Sequence, residues 1–402
     1  MIMKKKFSNF LVVTVIAGIV LSLVGVALVS QAKSEPARKI VVFKAGVDEA
    51  TREILINKVG GVKIKDLKLV EGKAVLLSPQ AEKTLARQAG VLRIDDDVVV
   101  EALIRSGIAA KPAPAQPAEI LPWGVDRIDA DLVWGTTTGD SIKVAIIDTG
   151  IDLKHPDLKD NIKGGYNAIN PRKSANDDNG HGTHVAGIVG AIDNTIGVIG
   201  VGPQIDLYAV KVLDRNGSGY LSDVIEGLDW AITNRMQVVN MSLGTSSDIQ
   251  SLHDVVARAN AAGIVQVAAA GNSGGSVIYP AAYLEVIAVS ATDKTDTIAS
   301  WSSRGPEVDL AAPGVNIYST YNGQTYKTLS GTSMAAPHVA GAAALVLSVS
   351  GKCEFLLDNV SGCSPSEVQK RLETTAEDLG VVGRDDLYGS GLVDAKKAVL
   401  AP

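Results

Sequence analysis

The stretch KVAIIDTG, residues 143–150, is a short unbroken apolar run that ends on an acid and a Thr-Gly turn. An amphipathic helix repeats its apolar residues three and four apart, and a half-exposed strand alternates them. A continuous run bounded by a charge and a turn instead fits a strand buried on both faces. Runs of the same kind recur at DLYAVKVL (206–213), VVNMSLG (238–244), VQVAAAGN (265–272) and VIAVSAT (286–292). Between some of them lie stretches with helical spacing, SDVIEGLDWAITN (222–234) and DIQSLHDVVARANAAG (248–263). Unalternated strands interleaved with helices predict an α/β fold, a mainly parallel sheet doubly covered by helices. Functional residues of such sheets gather at the carboxyl ends of the strands, which is where Asp148 stands.

Upstream the pattern differs. KIVVFKAG (39–46) and GKAVLLS (72–78) read as strands, DEATREILINKVG (48–60) and PQAEKTLARQAG (79–90) as helices, GVKIKDLKLV (61–70) as extended, and VLRIDDDVVVEAL (91–103) as β-rich. This βαββαβ order predicts a small ferredoxin-like α+β unit. AAKPAPAQPAE (109–119) follows, an alternation of Ala and Pro that reads as an exposed linker. The expected division is therefore a module at 37–103, a linker at 104–118 and a main domain at 119–402.

Lys4, Lys5 and Lys6 precede an apolar run at 10–29, with Ser30 and Ala32 at the small-residue positions of a cleavage site. Residues 1–32 thus read as a signal peptide, or as a membrane anchor if retained, and either way the remainder is expected outside the cell. In an exported chain, Cys353 and Cys363 are most simply a disulfide, with two buried thiols as the alternative. Hydrophobic residues make up 46%, enough for a substantial core, while a net charge of −6 and 4% aromatic residues speak against a nucleic-acid partner.

Several motifs carry chemistry. His181 and His184 lie in NGHGTHVAGIVGA (179–191), but a helical zinc site wants a third ligand and a carboxylate base, and Gly182 and Thr183 stand between these two. Asp148-Thr-Gly matches half of an aspartic-protease pair, and no second such triplet exists in the chain. Ser333 opens GTSMAAPHVAGAAALV (331–346), where a hydroxyl would gain nucleophilicity only beside an oriented base. Taken singly, Asp148 is also a strand-end cap, Ser333 a helix N-cap, Asn272 a turn residue and Asp193-Asn194 a plain turn.

Together, VAIIDTGID (144–152), HGTHVAGIVGA (181–191) and GTSMAAPHVAGAAAL (331–345) resemble the three signature segments of the subtilisin-like serine proteases. The likeness runs over about 119–397, through GVIGVG, LYAVKVLDRNGSG, NMSLG, AAAGNSG, YPAAY, SSRGP, APGV and YGSGLVDA. It implies an endopeptidase with Ser333 as nucleophile, His181 as general base and Asp148 as the group that orients it. Asn272 and the Ser333 N–H would form the oxyanion hole. His338 would be a packed histidine, and Pro337 would be tolerated near the first turn of the helix.

The resemblance also implies that Gly217, Ser218 and Gly219 on one side and Ser242, Leu243 and Gly244 on the other clasp an extended polypeptide substrate. Ala269, Ala270 and Gly271 would line the primary pocket, whose floor carries Ile278 where family members often have glycine. Calcium is the implied cofactor, held by Glu119, Asp157 and Asn194 side chains and the carbonyls of Ile192, Ile196 and Val198. Glu307 and Asp309 are candidates for a weaker cation site. The upstream module would be a propeptide that inhibits the enzyme, cut between Leu103 and Ile104, and the mature protein is expected to be a monomer.

Overall fold

The computed structural model describes residues 35–104, 116–349 and 363–401. Seven strands form the central sheet in the order Leu310–Pro313, Ile287–Thr292, Val265–Ala269, Val238–Met241, Lys143–Asp148, Asp206–Lys211 and Ile162–Asn167. Every neighbouring pair is parallel, as the interleaved helices require.

The strand Lys143–Asp148 shows why its sequence does not alternate. Val144 and Ile146 face one core, shared with the helices His181–Gly190 and Thr332–Leu347. Ala145 and Ile147 face a second, shared with the helices Leu221–Thr233 and Gln250–Ala261. Burial of such aliphatic side chains on both faces stabilises the sheet by roughly 1.5–3 kcal/mol per large residue. Both faces being covered, the strand ends are where polar chemistry reaches the surface.

The upstream unit is a four-stranded antiparallel sheet in the order Val62–Leu67, Gly72–Leu77, Ala37–Phe43 and Val91–Asp96, with helices Glu49–Lys58 and Pro79–Leu85. It packs on the two helices of the second core. Asp97 accepts from Ser222 N (2.8 Å) and Ser222 Oγ (2.9 Å), and Asp95 from Ser251 N (3.1 Å) and Ser251 Oγ (2.5 Å). Each carboxylate thus sits at the positive end of a helix dipole and satisfies donors that the helix leaves open. Lys65 pairs with Asp223 and Glu226, Arg93 with Asp254, and the Arg38 guanidinium lies 3.6 Å from the Tyr220 ring centre.

The signal segment at 1–32, most of the Pro-rich linker and Cys353 lie outside the described residues, and with Cys353 the proposed disulfide partner of Cys363. Among the described residues no helix is long and apolar enough to cross a membrane.

Candidate active site

Asp148 ends the central strand, His181 begins the helix His181–Gly190, and Ser333 is the second residue of the helix Thr332–Leu347. All three are fully buried beneath the docked upstream unit. His181 Nδ1 lies 2.7 Å from Asp148 Oδ1 and 2.9 Å from Oδ2, so Nδ1 carries the proton and Nε2 is left as the basic nitrogen. Among the described residues Nε2 has no hydrogen-bond partner. The approach depends on Gly182, where a Cβ would lie 2.2 Å from Gly150 O and 3.1 Å from Asp148 Cβ.

Ser333 Oγ donates to Ser242 O at 2.9 Å and, among the described residues, makes no hydrogen bond to His181. Pro337 is the sixth residue of its helix, beyond the first turn where it was expected to be harmless. Having no N–H, it leaves Ser333 O without its helical donor. Ser242 Oγ supplies that bond at 2.8 Å and is itself held by Asn240 Nδ2 at 2.9 Å.

One hub was not singled out in the sequence. The Asp177 carboxylate accepts from Thr149 Oγ1 (2.9 Å), Asn179 N (2.9 Å), Gly180 N (2.9 Å), Thr183 N (3.0 Å) and Thr183 Oγ1 (2.6 Å). It therefore fastens the residue after Asp148 to the turn that bears His181. An acid four residues ahead of a helix start, before Asn-Gly, is the signal that marks it.

The cleft holds part of the chain itself. Val99–Ala102 is the middle strand of a three-stranded sheet, antiparallel to Ser218–Tyr220 on one edge and Leu243–Gly244 on the other. Ala102 N donates to Gly217 O (2.8 Å) and Leu103 N to Ser242 O (3.3 Å). Val100 is buried in the second core, which also holds Leu221, Val224 and Leu243, whereas Glu101 is exposed. Leu103 O accepts from Asn272 Nδ2 at 2.6 Å, and a Cβ on Gly331 would lie 2.5 Å from that oxygen. The Ser333 N–H, the other expected donor, makes no bond to it among the described residues. Ala269 ends a central strand, and Ala270 and Gly271 continue it toward Asn272 beside Thr332, whose Oγ1 accepts from Gly271 N at 3.2 Å.

His184 and His338 are bonded to backbone carbonyls in the core. His184 Nε2 donates toward Ile317 O (3.1 Å) and Lys327 O (3.0 Å), and His338 Nδ1 donates to Met334 O (2.8 Å), so the pair 181 and 184 does not converge on one point. Among the described residues the acids that cluster as metal ligands would are Glu49, Glu53 and Asp66, and the Lys73 ammonium fills that cluster. Burial holds His184 down to about 3 and His338 to about 4. Both are neutral in the fold, while the unfolded chain takes up their protons below about 6.5.

Stability from these two groups is therefore complete above about pH 6.5 and falls as pH drops toward 4. Asp157, which burial pushes up to about 6, acts oppositely below that pH. Burial holds His155 down in the same sense as the other two histidines and raises Asp223 and Asp309 as it does Asp157; the two enclosed histidines set the expected sign, a loss of stability on acidification from pH 7 to 5. Urea midpoints of a Ser333→Ala chain at pH 7, 6 and 5 measure it, and an unchanged or rising midpoint on acidification would contradict it.

The calcium candidates do come together. The bridges Ala118↔Ile196 and Ile120↔Val198 lay the segment around Glu119 along the loop, and Glu119 Oε1 accepts from Asn194 N at 2.6 Å. Asp157 is buried, and its partners are Val198 N, Asn194 Nδ2 and the Tyr326 hydroxyl, none of them cationic. The carbonyls of Ile192, Ile196 and Val198 accept no hydrogen bond among the described residues. Asn194 differs from expectation: its Oδ1 accepts from Ile196 N at 2.7 Å and its Nδ2 faces Asp157. At the weaker candidate, Asp309 is paired with Arg384 at 2.8 Å, so a guanidinium stands where a cation was expected.

The profile of the Subtilase family matches residues 139–391. The thermostable alkaline protease of Halalkalibacterium halodurans is 48% identical over 290 residues, 72% of this chain and 76% of that protein. Subtilisin Savinase of Lederbergia lenta is 47% identical over 283 residues, 70% of this chain and 99% of its own. Subtilisin amylosacchariticus of Bacillus subtilis subsp. amylosacchariticus is 41% identical over 380 residues, 91% of both. A parallel sheet with an Asp at a strand end and a His and a Ser in the first turns of two helices packed on it, and relatives this similar over most of the chain, place the protein in the subtilase family as a serine endopeptidase of the subtilisin type.

Proposed function

We propose that the chain is an exported zymogen that hydrolyses polypeptides through Asp148, His181 and Ser333 and first cuts itself between Leu103 and Ile104. The observation that carries this reading is the Leu103 carbonyl, held by Asn272 Nδ2 at 2.6 Å at the end of a strand clasped on both edges. In the reaction Ser333 Oγ attacks the carbonyl carbon as His181 Nε2 takes its proton. Asp148, bonded to Nδ1, fixes the tautomer and stabilises the imidazolium. Negative charge grows on the carbonyl oxygen, where Asn272 Nδ2 and the Ser333 N–H stabilise it. The C–N bond then breaks, the leaving amine takes the proton from Nε2, and an acyl-enzyme remains. Water, deprotonated by the same nitrogen, attacks the ester and returns Ser333 to its free form.

After the first cut, residues 37–103 stay as an inhibitor, since Asp95 and Asp97 still cap two helices and the strand Val99–Ala102 keeps its place. Removing the Ser333 hydroxyl tests the proposal, because turnover and self-cleavage should vanish together. The mature enzyme is proposed to act as a monomer.

Calcium fits the 192–198 loop as a structural cofactor. A hard cation wants several oxygens, and open carbonyls, a buried Asp157 and a nearby Glu119 supply them without a basic side chain to compete. Bound there it would neutralise a desolvated carboxylate and tie the segment around Glu119 to the domain. An ion bound only by the native state stabilises it by about 4 kcal/mol at a thousand times Kd, which is roughly 10 °C in Tm for a domain of this size. Melting the Ser333→Ala chain with calcium and with chelator should show that difference. An indifferent Tm would remove the site.

A further inference from the structure

The nucleophile stands where the backbone ladder of its helix is broken, and a side chain from outside the helix closes the break. A residue four places before a proline loses its helical donor, and the proline ring crowds the same carbonyl. In the helix Thr332–Leu347 that carbonyl belongs to Ser333. Ser242 Oγ donates to it at 2.8 Å from 91 residues away. Asn240 Nδ2 donates in turn to Ser242 Oγ at 2.9 Å, which leaves the hydroxyl hydrogen for Ser333 O. Asn240 stands on the strand Val238–Met241, in register with Ile146 on one side and Val267 on the other, so this relay starts from a fixed point of the central sheet. All three residues are fully buried. Among the described residues Asn240 Oδ1 has no hydrogen-bond partner, so the bond to Ser242 is what this enclosed amide contributes.

Ser333 is tied to Ser242 a second time, by its own Oγ on Ser242 O at 2.9 Å. In the proposed reaction that hydroxyl leaves to attack, and the bond from Ser242 Oγ to Ser333 O is the tie that remains. The chain in the cleft meets Ser242 through a different atom, since Leu103 N donates to Ser242 O at 3.3 Å. The Ser242 carbonyl thus serves the bound strand, and its hydroxyl serves the nucleophile.

We propose that Ser242 is a positioning residue of the reaction, its hydroxyl standing in for the N–H that Pro337 lacks and so fixing the backbone of the residue that carries the nucleophile. The inference rests on the reading that Ser333 is that nucleophile. With the Ser242 hydroxyl removed, Ser333 O is buried without a donor, and the first turn of the helix must shift to satisfy it. A misplacement of about 1 Å costs about 10²-fold in rate, which bounds the effect.

The test is a cycle of four full chains, wild type, Ser242→Ala, Pro337→Ala and the two together, each assayed once active on a peptide copying residues 99–104. Rates are expressed per active site, counted by uptake of a serine-directed phosphonate, so that misfolded protein does not enter kcat. Ser242→Ala should lower kcat by about 10- to 100-fold with KM within about threefold of wild type, because the carbonyl that meets Leu103 N is untouched. In the Pro337→Ala background the helix regains an N–H at position 337, and removing the Ser242 hydroxyl should then cost less than about threefold. Were Ser242 only a packing residue, its removal would cost the same in both backgrounds. A folded chain that no longer cuts itself counts as the expected loss, and return of self-cutting in the double variant then replaces the comparison of kcat. If Ser242→Ala does not fold, Ser242→Cys, a weaker donor of similar shape, takes its place in the cycle with the same expected coupling. A kcat per site within about threefold of wild type, or an equal loss with and without Pro337, would overturn the proposal. Active wild type that takes up no phosphonate at Ser333 would remove the premise, and the proposal with it.

Discussion

A Ser333→Ala chain is expected to fold, to remain one polypeptide through Leu103 and to leave a denatured protein uncut. The fold should survive because Ser333 Oγ makes one hydrogen bond, to Ser242 O, whose loss costs about 1 kcal/mol. The bond that replaces the missing Pro337 donor runs from Ser242 Oγ to Ser333 O and does not involve the deleted hydroxyl. Nor can a neighbour stand in as nucleophile. Thr332 Oγ1 donates to Asn272 Oδ1, and Ser242 Oγ is committed to Ser333 O. In a subtilisin, loss of the serine costs about 10⁶-fold in kcat, and at least about 10³-fold is expected here. N-terminal sequencing should find Ile104 or a later residue in wild type, and no new N-terminus in the variant. Cleavage of the pure variant at the same bond, or turnover near that of wild type, would show that another group does the chemistry.

What the sequence discloses and what it withholds divide along a physical line. The central strands were legible because burial on both faces writes itself as an unbroken apolar run, as in VAII before Asp148, and each residue can be read locally. The upstream unit was legible for the same reason, its alternation and turns being local. Asp148, His181, Ser333 and Asn272 were marked by their motifs, yet their grouping depends on approaches between distant segments. The Ser242 bond that compensates Pro337 joins residues 91 apart, and no pattern near either one announces it. Arg384 at Asp309 is similar, because an arginine 75 residues away takes the place a cation was expected to fill. Asp177 was closest to legible: its turn signature is local, but its bond to Thr149, which links it to Asp148, spans 28 residues. The orientation of Asn194 depends on which neighbours its amide meets, and composition carries no trace of that.

Replacing Asn272 by alanine is expected to lower kcat by about 10²–10³-fold while changing KM little, a magnitude that comes from the corresponding donor in a subtilisin. The expectation rests on how the structure orients this amide. Its Oδ1 accepts from Thr332 N and Thr332 Oγ1, both at 2.9 Å, and this fixes which end of the amide is which. Nδ2 must then face the cleft, where it meets the oxygen of Leu103 at 2.6 Å. A ground-state carbonyl gains a modest hydrogen bond there. In the proposed mechanism the oxyanion that replaces it gains a charge-assisted one from a donor already oriented, so the interaction strengthens as the barrier is crossed. Thr332 reinforces this by spending its own hydroxyl on holding Oδ1. Because the same donor serves the chain's own bond, self-cleavage of Asn272→Ala should slow by a factor similar to the loss in kcat on a peptide. Steady-state kinetics and a time course of processing measure the two independently. A kcat within about threefold of wild type, or a loss confined to KM, would mean that Asn272 holds the substrate without stabilising its transition state.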